Sequence, residues 1–93
     1  MKTRIGNARS LERVVKGFSN HRRIEILDVL RKHPELSVDE VATKLNINIK
    51  TASEHIRRLA ISGLVLKRNE GNRVRHKLTN RAEAILKFLR ILE

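Results

Sequence analysis

Hydrophobic residues fall into helical stripes up to Gly63 and into a two-residue alternation beyond it, so the pattern alone divides the chain into elements. Leu11, Val14, Val15 and Phe18 recur at i, i+3, i+4 and i+7, one stripe of an amphipathic helix. Ser19 and Asn20 interrupt it, and Asn20 suits the N-cap of a second helix over residues 21–33. That helix carries Ile24, Ile26, Leu27, Val29 and Leu30 on a wide apolar arc, which marks it as the central core helix. Pro34 restricts His33 and ends it. Ser37-Val38-Asp39-Glu40 has the pattern of a capping box, and the short helix behind it turns Val38, Val41, Ala42 and Leu45 inward. Asn46 stops this helix, because asparagine tolerates the left-handed backbone of a tight exit. Asn48 then caps a helix that buries Ala52, Ile56, Leu59 and Ala60 and closes at Gly63. Two short helices joined by about three residues make a helix-turn-helix.

Past Gly63, Val65 to Arg68 runs out, Glu70-Gly71-Asn72 turns, and Arg73 to Leu78 returns. Val74, His76 and Leu78 share the inward parity, while Arg73, Arg75 and Lys77 face out, as in a β-hairpin. Thr79 or Asn80 caps a last helix bearing Ala82, Ile85, Leu86, Phe88, Leu89, Ile91 and Leu92. The expected fold is mainly α with a small β-hairpin, in the order α-α-α-α-β-β-α. At 93 residues the chain is one domain over 11–93, preceded by a basic N-terminal arm over 1–10.

Charge adds a partner to this picture. The chain has 21 Lys+Arg against 10 Asp+Glu, a formal +11, with pI near 11.3. Residues 44–81 alone hold 10 basic and 2 acidic groups, whereas residues 1–43 hold 9 and 6. A polyanion should therefore meet the second helix of the bihelical unit and the hairpin, with nucleic acid the first candidate, an anionic membrane surface the second and a ribosome-like RNA context the third. With only Phe18 and Phe88 as aromatics, single-strand binding by base stacking is not expected. No cysteine is present, so disulfides, thiolate metal sites and cysteine nucleophiles are excluded. No apolar run reaches the ~18 residues of a membrane span and no signal-peptide core is visible. A soluble, cytoplasmic protein that does not engage a membrane is expected.

Catalytic chemistry has no support: the sequence offers no nucleophile–base set, no paired carboxylates in an apolar pocket and no glycine-rich phosphate loop. His21, His33, His55 and His76 lie on four different elements, so neither a metal nor another cofactor is expected. The outer face of the helix around 49–62 is informative. Lys50, Ser53, Glu54 and Arg57 form one stripe near its start, where a recognition helix reads base edges in the major groove. Taken alone, Glu54 reads more simply as the partner of Lys50 or Arg58 in an i,i+4 ion pair. Lys67, Arg68, Arg73, Arg75 and Lys77 stack five cations on one projection of the hairpin, with only Glu70 opposing them. Edge strands carry lysine to block aggregation, but five cations exceed that need, and a wing gripping phosphates or the minor groove accounts for them better. Asn48, Thr51 and Arg58 complete the expected contacts to the DNA backbone. The first and last helices have more apolar surface than a core of this size covers, which points to a homodimer through Leu11, Val14, Val15, Phe18, Ile85, Phe88, Leu89 and Leu92.

The order of elements resembles the ArsR-type winged helix-turn-helix transcriptional regulators over about residues 11–92. The resemblance rests on Phe18 to Leu27, on Glu35 to Ala42, on Thr51 to Leu59, on Gly63-Leu64-Val65 and on the Glu70 to Val74 wing. It implies a dimer paired through the terminal helices that binds a palindromic operator in double-stranded DNA and represses by obstructing polymerase. It does not imply metal sensing, because Ser37 and Asp39 stand where metal-sensing members have cysteines and residues 79–93 contain no histidine. Ile49 replaces a residue that is commonly polar, and His55 matches a common family histidine, expected to pack or touch backbone rather than act as a chemical group. Two rival readings are a winged-helix module that docks onto protein and a binder of structured RNA.

Overall fold

The computed structural model describes residues 5–93. Five helices and one hairpin follow in the expected order: α1 (Ala8–Phe18), α2 (His21–Lys32), α3 (Val38–Leu45), α4 (Ile49–Ile61), β1 (Val65–Glu70), β2 (Arg73–Leu78) and α5 (Asn80–Leu92). Local side-chain chemistry sets most boundaries. Asn20 accepts from the amides of Arg22 and Arg23, Asn48 from Lys50 and Thr79 from Ala82, each satisfying donors at the start of a helix. Ser37 and Glu40 close the capping box in both directions, and Asn46 adopts the left-handed conformation (φ 54°) at the end of α3. α1 begins earlier than its apolar stripe suggests. Asn7 caps it by accepting from the Ser10 amide, so residues 8–10, expected in the arm, are helical. Residues 1–4 of that arm lie outside the described residues.

The core forms around α2, whose Ile26, Leu27 and Leu30 are fully buried, with Val41 of α3 and Ala52, Ile56 and Leu59 of α4 packed on them. Leu64, Val65, Leu78, Ala82 and Leu86 close it from the hairpin and α5. The strands pair antiparallel from Val65–Leu78 to Glu70–Arg73. A two-residue turn joins them, and Gly71 supplies the positive φ (60°) that its first position requires.

The segment before α3 is more than a connection. Leu36 bridges to His76, giving the hairpin a one-residue third strand. His76 N donates to Leu36 O (3.0 Å), Glu35 N donates to His76 O (2.9 Å), and the buried His76 ring donates from Nδ1 to the same Leu36 carbonyl (2.8 Å). Because a carbonyl only accepts, this bond fixes the proton on Nδ1 of a neutral ring. The pairing holds Glu35 at φ 72°, a conformation non-glycine residues rarely adopt. The root of the wing is thus fastened to the α2–α3 connection.

The Cα radius of gyration is 14.0 Å, above the roughly 12 Å expected for a compact chain of this length. α1 is consistent with that excess, since all its residues from Ala8 to Lys16 except Val14 are exposed.

Candidate nucleic-acid interface

The face of α4 opposite Ala52, Ile56 and Leu59 is open. Lys50, Thr51, Ser53, Glu54, Arg57 and Arg58 are all exposed, so the stripe expected to read bases is available to a partner. Asn48, also exposed, commits its side-chain oxygen to the cap (2.7 Å to Lys50 N).

Glu54 organises the middle of this face. Arg57 donates to it twice, from Nε (2.9 Å) and Nη2 (2.7 Å), and Arg58 donates from Nε (3.2 Å). These hydrogen bonds, those from Arg57 first, hold the Glu54 carboxyl down at about 2. The expected i,i+4 pair with Arg58 is present, and an i,i+3 fork with Arg57 joins it. Lys50 forms no ion pair among the described residues.

The hairpin corrects two sequence expectations. Strand register places Lys67 opposite His76, on the core-facing side, while Arg68, Arg75, Arg73 and Lys77 share the other face with Glu70 and Leu66. Four of the five cations therefore project together. Nor is Glu70 their sole counter-charge. Arg68 contacts Glu35 (3.0 Å) as well as Glu70 (2.9 Å), Arg75 contacts Glu70 (3.3 Å) and donates to the Glu35 carbonyl (3.0 Å), and Arg73 lies 3.9 Å from Glu40. Glu35 reaches the wing because the Leu36–His76 bridge brings the α2–α3 connection to the edge of β2, while Glu40 reaches it from the first turn of α3. Among the described residues, Lys67 and Lys77 have no ion-pair partner.

α3 joins the wing tip to the start of α4. Ser37 to Glu40 line a notch with Asn72, Arg73 and Val74, and Asp39 also lines a shallow groove with Ala42, Thr43, Asn46, Ile47 and Ile49. Behind this surface, Arg23 ties three helices together. Its Nε donates to His55 Nδ1 (3.1 Å) and its Nη1 to the carbonyls of Lys16 (3.5 Å) and Gly17 (3.3 Å) at the end of α1. With Nδ1 accepting, neutral His55 carries its proton on Nε2. Burial first, then the Arg23 charge, lowers the His55 pKa, and burial lowers that of His76. The Arg23–His55 contact was not foreseen from the sequence, where the two lie 32 positions apart.

A second feature lies at the terminal helices. Ser10, Leu11, Val14, Val15 and Phe18 of α1 face Arg81, Ala84, Ile85 and Phe88 of α5 across a mostly apolar groove of about 360 Å³. Leu11, Val15 and Phe88 are about half exposed (47%, 50% and 53%), whereas Phe18 is buried in the protomer's own core. Six of the eight expected dimer residues line this groove. Leu89 instead lines a groove beside α2 with Ile24 and Leu86, and Leu92 is exposed beyond both. Ser10, Arg81 and Ala84 join the lining without having been singled out: Ser10 and Arg81 are polar, and Ala84 is too small to stand out in the apolar pattern.

A helix-turn-helix whose second helix is open along its outer face belongs to the class of domains that place that helix in a DNA major groove. Comparison with known proteins agrees: residues 19–65 match the model of winged helix-turn-helix DNA-binding domains, and the chain belongs to that family. An HTH-type transcriptional regulator of Mycobacterium tuberculosis is 39% identical over 66 residues, 71% of this chain; the match spans 29% of that longer relative. The homodimeric winged helix-turn-helix DNA-binding domain of a possible ArsR-family regulator from Mycobacterium bovis superimposes with a TM-score of 0.83 at 28% identity, covering 99% of this chain and 89% of that one. HlyU from Vibrio cholerae gives 0.81 at 31% identity, covering 94% and 95%. The resemblance to ArsR-type regulators and the winged fold expected from the sequence are both borne out. Among the described residues, no three His, Cys, Asp or Glu side chains converge as metal ligands, and no helix is long and apolar enough to cross a membrane.

Proposed function

We propose that this chain is a sequence-specific, double-stranded DNA-binding transcriptional regulator, acting as a homodimer on a palindromic operator and repressing by obstructing polymerase. The observation that carries this reading is the open outer face of α4, flanked by a cationic hairpin, in a member of a DNA-binding family. Lys50, Ser53, Glu54 and Arg57 face base edges. Asn48, Thr51, Arg58, Lys67, Arg68, Arg73, Arg75 and Lys77 hold the phosphate backbone. The α1–α5 groove pairs with its two-fold mate and sets the half-sites about one turn, ~10 bp, apart. Its apolar lining supports that role, as does the homodimeric state of the Mycobacterium bovis neighbour. The complete absence of cysteine and the scattered histidines support a regulator that does not sense metal.

Selection of bound fragments from a random duplex library tests the proposal, and an enriched two-fold symmetric sequence is the expected result. Affinity for that sequence should fall with salt at about 0.9 log units per log unit for each phosphate contacted, several units for a dimer. A flat salt slope refutes phosphate contact, and a better-bound RNA duplex in competition refutes the DNA assignment.

A further inference from the structure

We infer that Ile49 is a thymine-reading residue: its side chain, open at the first position of α4, meets the C5-methyl group of one thymine in the major groove of each half-site. This inference rests on the DNA-binding reading above and assigns a contact that the base-reading set Lys50, Ser53, Glu54 and Arg57 leaves out.

Ile49 is 47% exposed, and the core does not use it. The half-buried hydrophobics that pack against the core are Val14, Ile24, Leu36, Val38, Leu45, Ile85 and Leu89, and Ile49 is absent from that set. Nor does it line the apolar groove between α1 and α5. Its position is that of a reader. It is the first residue of α4, the end of a recognition helix that contacts base edges, and it lies four positions before Ser53, hence beside the outward stripe.

The surroundings select the partner. The shallow groove beside Ile49 is lined by Asp39, Thr43 and Asn46 as well as Ala42 and Ile47, and Lys50 follows in sequence. An exposed apolar group with only Ala42 and Ile47 beside it, set among polar and cationic side chains, does not make the broad patch that another protein would bury. It matches the major groove of duplex DNA, where the thymine methyl is the apolar group on offer and the other edges are hydrogen-bonding atoms. As a β-branched residue Ile49 is stiff at χ1, so the contact orders little that was free.

The test uses the site selected from random duplexes and replaces its thymines with uracil one at a time, which removes the methyl group and keeps the hydrogen-bonding edge. For the wild-type chain, uracil at the contacted thymine in one half-site should weaken binding about fourfold, and at both symmetric positions about fifteenfold, the effect of one buried methyl each. Ile49→Ala and Ile49→Ser should melt as the wild type does, bind the selected site more weakly and be indifferent to uracil at that position. Wild-type binding unchanged by every uracil overturns the inference, as does a selected site without thymine or an Ile49→Ala variant that keeps the full uracil penalty. Sequence-specific binding that ignores uracil removes this contact alone; absence of any duplex preference removes the DNA-binding reading with it.

Discussion

Gly17 lies where α1 meets α4, and its missing side chain sets how closely the two helices approach. A Cβ at this position would overlap both the Cβ and the Oγ of Ser62, the residue that caps the end of α4. Gly17 is helical with no positive φ, so alanine meets no backbone strain there. It gains at most about 1 kcal/mol of helix propensity, and less in a final turn. Against this stands overpacking, about 1–3 kcal/mol, in the upper part of that range here because one overlapping atom is a Cβ fixed to the backbone. Gly17→Ala should therefore cost about 2 kcal/mol net, a fall in Tm of roughly 10 °C for a domain of this size.

Ser62→Gly removes both overlapping atoms. The hydrogen bonds that Ser62 makes to Arg58 and Arg81 use its backbone, so the change leaves them in place. The double variant Gly17→Ala/Ser62→Gly should recover most of the loss, and Ser62→Ala, which keeps the Cβ, only part of it. Thermal unfolding of the wild type, Gly17→Ala, Ser62→Gly and the double variant by circular dichroism at one fixed concentration closes the cycle, with Gly17→Ala/Ser62→Ala measured beside them. The reasoning fails if Gly17→Ala is as stable as the wild type, or if Ser62→Gly leaves its loss unrelieved.

Three further outcomes are expected. Glu54→Gln frees Arg57 and Arg58 from their carboxylate, so affinity for random duplex should rise and its salt slope steepen, while discrimination in favour of the selected site falls; an unchanged slope refutes the idea that Glu54 competes with phosphate. His55 and His76 have lowered pKa values in the fold, so below about pH 6.5 the unfolded chain binds more protons than the native one. Their contribution to stability is complete above pH 6.5 and is lost as pH falls through the folded values. Urea unfolding between pH 7.5 and 5 should show this fall before the paired carboxylates Glu40, Glu54 and Glu70 titrate, and His76→Gln should flatten part of it. Phe88→Asp places a charge in the α1–α5 groove at an exposed position; sedimentation should show a folded monomer whose operator affinity drops at least about tenfold, and a dimer that persists unchanged places the interface elsewhere.

What the sequence revealed and what it concealed divide by distance along the chain. The caps at Asn20, Ser37, Asn48 and Thr79 act within three residues, so composition at the helix starts is enough to see them. The left-handed exit at Asn46 is equally local. The face of Lys67 was also within reach, since a two-residue turn pairing Glu70 with Arg73 forces Lys67 opposite His76. Two counter-charges of the wing, Glu35 and Glu40, were not. Glu35 reaches Arg68 across 33 positions, and only because Leu36 bridges to His76, a pairing that leaves no periodic trace in so short a segment. Leu89 shows the same limit in a helix: α5 presents apolar residues both to the α1 groove and to the α2 side, and a stripe wide enough for two neighbours does not say which residue meets which.

The carboxylates, foreseen and unforeseen, change what the cationic surface does. Arg57, Arg58, Arg68, Arg73 and Arg75 each lie within ion-pair distance of Glu35, Glu40, Glu54 or Glu70, whereas Lys50, Lys67 and Lys77 have no such partner among the described residues. An arginine that meets a phosphate must first give up a carboxylate, and that carboxylate then faces the polyanion, so the net gain is smaller than its charge suggests. If α4 and the hairpin meet DNA as proposed, Lys67 and Lys77 meet phosphate without that exchange, and all three lysines add long-range attraction to any duplex. The fork of Arg57, the arginine proposed to face base edges, gives bidentate geometry, which rewards a guanine edge placed correctly and penalises one that is not. On the proposed reading, the carboxylates that hold these arginines lower the attraction of a protein of net charge +11 for duplexes in general and leave Arg57 to discriminate among them.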